Sequence, residues 1–486
     1  SPQKPLSLIH ALPVTVLDSI SLGVCAMGES LPFARYVAEF VGTFILVFTV
    51  GCNVLTKSGT FAGISIGCVL MVMIYALGKS SGANFNPAVS VSLGLCRKME
   101  WSEVAIYVVV QTLAGIISAF LCTFMLGKSV NLEPTEGHTW LAACLCEMLY
   151  TSMLCFVVLN TAASKKHAGK NQFYGLAIGF VIIAGAYSAG SMSMGAFNPA
   201  VALGIDISSA EFGVRYSFLY IAFELLGAGI AAGLFLLCRP EELEDGDAVD
   251  PPTLPSRLLS EFIGTYILVL TVGLNVLNGS SAGAFSVAAA LTCMIFALGS
   301  VSGAHFNPAV TTAILCAGHT DLIPLDAAAY ILVQVAGGIA AAGSYTAIMG
   351  GKAFALLPGE YSLAQACTAE LVFTFVLAFV VLSVATVKSP LSEFFGFAIG
   401  MCVTVGGIAI GAISGASLNP AVSIAAYTSA GVLGIGAFWH CIMYSLVEIL
   451  AGAVAASVFH VTQPSELKVS PMTILGDLVG YGSARP

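Results

Sequence analysis

The fold of this chain is decided by a motif at the end of the stretch Ser81-Gly82-Ala83-Asn84-Phe85-Asn86-Pro87-Ala88-Val89. The motif Asn-Pro-Ala-Val occurs four times, beginning at Asn86, Asn198, Asn307 and Asn419. The second copy follows the first by 112 positions, the fourth follows the third by the same interval, and the third follows the first by 221. A nested period of this length indicates a duplicated domain that is itself internally duplicated.

Each copy of the motif has the chemistry of a helix start. Asn is a good N-cap, and Pro is favoured at the first helical position. About ten mostly apolar residues follow each copy, which is fewer than the ~20 needed to span a bilayer. Half-helices that begin at membrane depth are tolerated where they line a water-filled cavity, and a pair from inverted repeats forms a site for a polar passenger. The predicted pore residues are Asn86, Pro87, Ala88, Asn198, Pro199, Ala200, Asn307, Pro308, Ala309, Asn419, Pro420 and Ala421.

The composition is that of a polytopic membrane protein. Hydrophobic residues make up 58% of the chain and charged residues 9%, against about 25% charged residues in soluble domains. The chain has a net charge of −9 and no large basic cluster, so no nucleic-acid partner is expected. The 14 cysteines show no metal-ligand spacing, and no nucleophile–base arrangement is visible. We therefore expect a lipid bilayer as the main partner, no metal or cofactor, and no enzymatic activity.

Twelve apolar spans surround the four motif copies. They are predicted at 33–55, 61–77, 101–126, 140–161, 173–190, 216–238, 258–277, 282–298, 325–349, 363–386, 394–411 and 436–460. Each half of a unit has three spans, an odd number, so its two halves are inverted. The predicted organisation is an N-terminal tail at 1–32, a first unit at 33–238, an acidic, Pro-rich, solvated linker at 239–257, a second unit at 258–460 and a C-terminal tail at 461–486. Most Lys and Arg residues fall on the side of the termini and linker, which predicts that this side is cytosolic.

Each unit resembles the major intrinsic protein family, which includes the aquaporins and aquaglyceroporins. The resemblance is carried by the first-span stretches 38–43 and 260–265, the pore-loop stretches 81–89 and 301–310, and Gln111 and Gln334 in the third spans. It implies an all-α polytopic membrane protein of two aquaporin-like bundles, each with six transmembrane helices and two half-helices around one pore. The Asn side chains would donate hydrogen bonds to the passing molecule. Because the family generally forms tetramers of single units, two tandem chains would give the same four pores, as a homo-oligomer or within a larger membrane assembly.

The sequence departs from the family at the selectivity filter. Family members usually have Arg after the second Asn-Pro-Ala, where this chain has Val201 and Val422. The family's usual offsets give the predicted filters as Ile66, Ala186, Gly195 and Val201 in the first unit and Val287, Gly407, Ala416 and Val422 in the second. All eight are small or aliphatic, which predicts a wide, apolar constriction. Besides water, the expected passengers are small neutral solutes such as glycerol, urea, ammonia and hydrogen peroxide.

Six of the glutamates within the predicted spans form three pairs at matching places in the two units. A carboxylate at membrane depth is costly and is usually functional or paired. In the family, the equivalents of Glu39, Glu147, Glu261 and Glu370 hold backbone groups of the pore loops, and the resemblance implies that structural role here. Glu224 and Glu448 stand where the family commonly has Pro. For these two, the alternatives are hydrogen bonds from backbone N–H groups and protonation.

Three functions are compatible with these features. The first is a passive channel with one pore per unit. The second is a structural or scaffolding subunit of a membrane assembly, with pores narrowed or unused, because the filter Arg is missing and the units are fused. The third is a twelve-span secondary transporter, since inverted repeats and twelve spans also occur there. The absence of an intramembrane basic coupling residue argues against the transporter.

Overall fold

The computed structural model describes residues 33–246, 248–434 and 438–466, and the side chain of residue 212 is not among those described. The predicted N-terminal tail at 1–32 lies outside these ranges, as does the predicted C-terminal tail beyond residue 466. Within them the regular secondary structure is helical, and no strand is assigned. The predicted all-α fold class is therefore confirmed for the described part of the chain.

The first unit contains eight helices in the described residues. They are α1 Ala34–Thr56, α2 Ala62–Ser81, α3 Pro87–Leu95, α4 Trp101–Leu126, α5 Trp140–Val158, α6 Tyr174–Ser188, α7 Pro199–Ser208 and α8 Tyr216–Cys238. A π-helical turn, Leu159–Ala163, extends α5, and a single turn, Gly190–Ser193, follows α6. The half-helices are α3 and α7, and both pack against α4 and α8 inside the bundle.

The second unit repeats this order among its described residues. Its helices are α9 Leu254–Leu277, α10 Gly283–Ser302, α11 Pro308–Ala317, α12 Pro324–Ile348, α13 Leu363–Ala385, α14 Phe395–Ser414, α15 Pro420–Val432 and α16 Phe438–Thr462. The half-helices are α11 and α15. Each helix of the second unit therefore has a counterpart eight elements earlier in the first.

Eleven helices of the described residues are long and apolar enough to cross a membrane, judged by length and composition. The span predicted at 173–190 is the exception, because α6 has 15 residues where its counterpart α14 has 20. At 1.5 Å per residue, α6 falls short of a ~30 Å hydrocarbon core. The turn Gly190–Ser193 continues the chain in the same region, so the shorter helix leads directly into the second pore loop.

The two units pack side by side through α6 and α10. Phe173 stacks on Phe296 with ring centroids 4.3 Å apart, and the hydroxyls of Tyr150 and Thr271 lie 3.0 Å apart. The contact buries one face of the second unit. In α10, 78% of the most apolar window is buried, against 22% in the equivalent span of the first unit, which contains α2. Equivalent helices therefore have different surroundings, and α2 presents a face that no other described part of the chain covers.

Most described residues of the stretch 239–257 are exposed, as the sequence predicts for a solvated linker, but Arg239 and Glu242 are not. Arg239 is only 1% exposed, and its guanidinium donates to Asn160 Oδ1 at 2.7 Å and to the Ala297 carbonyl at 3.1 Å. Glu242 accepts from Lys98 Nζ at 2.6 Å. A 3₁₀ turn, Pro240–Leu243, holds these groups, and α9 begins at Leu254, four positions earlier than predicted. The prediction of a solvated stretch was wrong for Arg239 and Glu242, because an acidic local composition does not reveal partners that are distant in sequence.

A histidine outside the spans completes this contact. His167 Nε2 lies 2.9 Å from Ser300 Oγ of the second unit. Burial and the neighbouring charge of Arg239 lower the pKa of His167 to about 4. The imidazole is therefore neutral at pH 7 and acts as a hydrogen-bonding group between the units.

Candidate functional site

Each half-helix starts as its motif predicts. Asn86 is the N-cap of α3, where its Oδ1 accepts from the Ala88 N–H at 2.9 Å, and Pro87 occupies the first turn. Asn198 does the same for α7, with its Oδ1 accepting from the Ala200 N–H at 2.9 Å. The helix starts at Asn307 and Asn419 repeat the arrangement in the second unit, at 2.8 and 2.9 Å. The N-termini of the half-helices carry partial positive charge from the peptide dipoles.

Reciprocal hydrogen bonds join the two half-helices of a unit. Asn86 Nδ2 donates to the Phe197 carbonyl at 2.8 Å, and Asn198 Nδ2 donates to the Phe85 carbonyl at 2.9 Å. In the second unit, Asn307 and Asn419 donate to the carbonyls of Leu418 and Phe306 at the same distances. An amide has two N–H donors, so one N–H of each Asn holds the loops together. The other remains for a molecule in the space between the half-helices.

The pore loops take a sharply bent path. Phe85 and Phe306, which precede the first Asn of each unit, have φ of 51° and 49°. Such a left-handed backbone is costly for a residue with a side chain and needs support from its surroundings. That support includes two glycines, because a Cβ on Gly42 would lie 2.0 Å from the Phe85 ring, and one on Gly264 would lie 2.1 Å from the Phe306 ring. The glycines of the first spans therefore make room for the loop aromatics.

Buried carboxylates hold the first pore loops in both units. Glu39 accepts from the backbone N–H groups of Asn84 and Phe85 at 3.0 and 2.8 Å, from Ser81 Oγ at 2.6 Å and from Gln111 Nε2 at 2.8 Å. Glu261 makes the same four contacts in the second unit, with Gln334 as its amide donor. Four donors on two oxygens satisfy the charge and fix the loop.

A second pair of carboxylates holds the other pore loops. Glu147 accepts from Ser193 Oγ at 2.6 Å and from the N–H groups of Ala196 and Phe197 at 3.0 and 2.6 Å. Glu370 contacts Ser414 Oγ and the N–H groups of Ser417 and Leu418 in the same way. All four glutamates are fully buried. Their side chains thus lie where a loop-holding role requires them.

The structure favours both alternatives for Glu224. Its Oε1 accepts from the Asn198 N–H at 2.8 Å. Its Oε2 has no hydrogen-bond partner in the described structure, and the fully buried Glu147 carboxylate is a neighbour of Glu224. Two neighbouring buried carboxyl groups are most stable when one of them is protonated. In the second unit, Glu448 accepts from the Asn419 N–H and from Ser423 Oγ, each at 3.2 Å.

A cavity lies between the half-helices of each unit. The cavity of the first unit, here called the first pore, has about 480 Å³ of unfilled space, part of it open to solvent, and is lined by residues that include Asn86 and Asn198. The cavity of the second unit, the second pore, has about 510 Å³ of such space and is lined by residues that include Asn307 and Asn419. The structure thus brings together the two Asn residues of each inverted pair, across 112 positions of sequence.

Six of the eight predicted filter residues line these cavities. They are Ile66, Gly195 and Val201 in the first pore and Val287, Ala416 and Val422 in the second. Ala186 and Gly407 are outside the lining. Ala186 lies against Gly63 and Gly407 against Ala284, one helical turn beyond the lining residues Ile182 and Val403.

Several lining residues were missed by the sequence reasoning. The Val that ends every copy of the motif lines its pore, so Val89 and Val310 belong to the lining as well as Val201 and Val422. The presence of Val in all four copies of the Asn-Pro-Ala-Val motif was the sequence feature that could have indicated this. Asn84 and His305 also line the pores, two positions before the first Asn of each pair. Within the described residues, no group of three or more His, Cys, Asp or Glu side chains is arranged to hold a metal ion.

These features define a polytopic membrane protein whose paired half-helices meet, within each of two bundles, in a mainly aliphatic cavity that contains two Asn side chains. A model of the family described as Major intrinsic protein matches residues 28–235 and 248–460. The chain therefore belongs to the major intrinsic protein family. Its relatives are channels rather than enzymes, and the two matched segments confirm that the family's unit occurs twice.

Single-unit relatives match about half of this chain. Aquaporin NIP1-1 of Oryza sativa subsp. japonica is 32% identical over 226 residues, which cover 44% of this chain and 78% of that protein. Nodulin-26 of Glycine max is 32% identical over 221 residues, covering 43% and 80%. The X-ray structure of the aquaglyceroporin from Plasmodium falciparum covers 43% of this chain and 99% of its own, at 19% identity and a TM-score of 0.39. The chain is thus a transmembrane channel for water or small solutes.

Proposed function

We propose that each unit contains one open pore, and that both pores pass small neutral solutes such as glycerol, urea, ammonia and hydrogen peroxide in addition to water. The observation that carries this proposal is the valine at the filter position of each second half, Val201 and Val422. Both lie in the pore lining. Transport would be facilitated diffusion with no covalent step.

A molecule that enters the pore leaves bulk water and meets the groups of the pore lining instead. Selectivity depends on pore diameter, on lining hydrogen-bond groups and on electrostatic barriers. A valine at the filter supplies neither the donors nor the fixed positive charge of an arginine, and it is smaller. Hydroxylated or amide solutes would then meet an apolar wall and the free Asn N–H groups. The positive ends of the half-helix dipoles remain as a barrier to cations.

The proposed filters are those counted from the motif. They consist of Ile66, Ala186, Gly195 and Val201 in the first unit and of Val287, Gly407, Ala416 and Val422 in the second. Ala186 and Gly407 would act one turn nearer the pore mouth than the cavity lining. None of the eight has an aromatic or charged side chain. The width of the constriction would therefore depend only on the size of these small and aliphatic residues.

Stopped-flow light scattering on proteoliposomes tests the proposal. We expect vesicles that contain the protein to pass glycerol and urea at least about tenfold faster than empty vesicles, equivalent to a barrier lower by ~1.4 kcal/mol. The matched control is the double variant Val201→Trp with Val422→Trp, which plugs both pores. If wild-type and empty vesicles are equally permeable to water, glycerol and urea, the proposal is wrong and the scaffolding function is favoured.

We further propose that a second copy of the chain covers α1 and α2 of the first unit and α13 and α14 of the second. This is supported by the low burial of these helices compared with counterparts that face the other unit. The most apolar window is 39% buried in α1 against 72% in α9, and 78% in α5 against 39% in α13. Two chains would then repeat the contact between units. A single-chain mass in native membrane extracts would contradict this assembly.

The proposed orientation places the termini and the stretch 239–257 in the cytosol, as the distribution of Lys and Arg favours. The units are proposed to extend over 33–238 and 258–460, with the second beginning a few residues earlier where α9 starts.

A further inference from the structure

Two cysteines of the first unit lie at the contact between α1 and α4, beside the first pore. Cys52 is about one helical turn before the end of α1, and Cys122 is about one turn before the end of α4. Cys122 is 1% exposed, whereas Cys52 is half-buried. Val50 of α1 lines the first pore, but neither cysteine is among the described lining residues. The two thiols are therefore available for chemistry other than contact with a passing molecule.

Two contacts place the Cys122 sulfur on α1. Its Sγ donates to the Phe48 carbonyl oxygen at 3.3 Å. A Cβ on Gly51 would lie 2.7 Å from the same Sγ. Residues 48, 51 and 52 share one face of the helix, since positions i, i+3 and i+4 are neighbours. The Cys122 sulfur therefore lies over the face of α1 from which Cys52 projects, and the Cys52 thiol is a neighbour of Cys122.

Close packing of α1 on α4 continues along this contact. One turn before Cys122, the hydroxyl of Ser118 donates to the Phe44 carbonyl at 2.8 Å. Any side chain at Gly51 would displace the Cys122 sulfur, so the glycine permits the approach. A disulfide needs Cα atoms about 4.4–6.8 Å apart, a spacing that two helices reach only where their backbones pack closely. The contact between α1 and α4 is of this closely packed kind.

The second unit has the same contact without the thiols. By the repeat, the glycine is retained as Gly273, whereas the two cysteines are replaced by Leu274 and Tyr345. A Cβ on Gly273 would lie 2.1 Å from the Tyr345 ring, and the Tyr345 hydroxyl lies 2.7 Å from Ser429 Oγ of α15. An aromatic ring thus fills the space that the cysteine pair occupies in the first unit.

From this juxtaposition we propose that Cys52 and Cys122 form a modification site, a thiol pair that hydrogen peroxide converts into a disulfide between α1 and α4. The site goes beyond the proposed function, because it does not require either pore to conduct. Both helices end on the side opposite the termini, which is the non-cytosolic side in the proposed orientation. Disulfides form and persist in oxidising compartments outside the cytosol.

The reaction is a two-electron oxidation of the two sulfurs. The thiolate of Cys52, the less buried residue, attacks one oxygen of the peroxide, the O–O bond breaks, and the released hydroxide takes up the Cys52 proton as water. The Cys122 sulfur then attacks the sulfur of the Cys52 sulfenic acid, the S–O bond breaks, and the hydroxyl leaves with the Cys122 proton as a second water. Two thiols and one hydrogen peroxide thus give one disulfide and two waters, and the peroxide is reduced.

The disulfide would tie a wall of the first pore to a helix that supports a half-helix. The residues Leu46 and Val50 of α1 line the pore. The helix α4 packs closely on α7, because a Cβ on Gly115 would lie 2.4 Å from the Ala200 carbonyl oxygen. Cross-linking restricts the unfolded chain and so stabilises the folded state. We expect oxidation to raise the midpoint of thermal unfolding by on the order of 5 °C.

Mass spectrometry of the full chain in proteoliposomes tests the site. The protein is reduced, exposed to hydrogen peroxide, denatured and alkylated. We expect peroxide to remove two alkylatable thiols, dithiothreitol to restore both, and digestion to give a peptide pair that joins Cys52 to Cys122. The matched control is Cys68→Ser, which removes another half-buried thiol and should leave this result unchanged. A wild-type chain that keeps all its alkylatable thiols, or a Cys122 joined to another cysteine, overturns the proposal.

Single variants separate the two sulfurs. In Cys122→Ser, the new hydroxyl can keep the bond to the Phe48 carbonyl, as Ser118 bonds to Phe44. Peroxide should then leave Cys52 as a sulfenic acid, which dimedone captures, whereas Cys52→Ser should give no adduct at Cys122. The unfolding midpoint in detergent should rise on oxidation of the wild type and stay constant in both variants. Equal shifts in all three proteins contradict a bond between α1 and α4.

Discussion

Replacing Val201 and Val422 together by Arg is expected to reduce glycerol and urea flux at least about tenfold while water flux stays within about threefold, a differential barrier of roughly 1 kcal/mol. The reason is the position of the two valines. They are 3% and 4% exposed and line the two pores. A guanidinium there would fill the passage, carry a fixed charge and offer several donors that suit water. Parallel stopped-flow measurements of water, glycerol and urea would give the ratios.

The control is Val201→Leu with Val422→Leu, which adds bulk without charge or donors. We expect it to slow all three permeants by a similar factor. If the double Arg variant keeps the wild-type ratio of glycerol to water flux, the valines do not form the filter and the proposed selectivity is wrong.

Replacing Glu39 by Gln is expected to destabilise the protein by about 3 kcal/mol, because buried unsatisfied groups cost ~1–3 kcal/mol each. Each oxygen of Glu39 accepts two hydrogen bonds, and all four donors belong to the pore loop or the neighbouring span. In Glu39→Gln, the new N–H₂ group would face N–H donors instead of accepting from them. We expect the unfolding midpoint in detergent to fall by on the order of 5 °C and flux through the first pore to be lost.

The matched variant is Glu224→Gln, which should have the opposite effect. Its amide oxygen can keep the bond from the Asn198 N–H, and its N–H₂ group can donate to Glu147, much as Gln111 donates to Glu39. We therefore expect an unchanged or raised unfolding midpoint. A loss as large as that of Glu39→Gln would show that Glu224 is needed as an ionised acceptor, contrary to the account in which one of the two carboxyl groups is protonated.

The parts of this structure that follow from sequence are those encoded locally and repeated. Asn-Pro starts a helix wherever it occurs in such a context, and four copies on a nested period determine two inverted pairs. The loop-holding roles of Glu39 and its equivalents come from the family resemblance, and the hydrogen bonds are those that such roles require. The spans followed from hydropathy, with boundaries shifted by a few residues.

The parts that could not be predicted depend on contacts between distant residues. Arg239 can be buried because Asn160 and the Ala297 carbonyl of the second unit accept its hydrogen bonds. The sequence around Arg239 does not indicate these distant partners. Offsets counted along the chain do not reveal that Ala186 and Gly407 lie one turn beyond the cavity lining on their helices. The helix α10 is more buried than its counterpart α2 because α10 packs against the other unit. The similar sequences of the two units do not indicate which helices make this contact.

The central claim is that one chain contains two independent pores. It is tested most directly by the glycerol flux of Val201→Trp, Val422→Trp and the double variant at pH 8, in proteoliposomes with equal protein content. Two independent pores predict that each single variant keeps roughly half of the wild-type flux and that the double variant falls to the level of empty vesicles. A single plug that abolishes all flux, or a double plug that leaves it unchanged, would contradict the account.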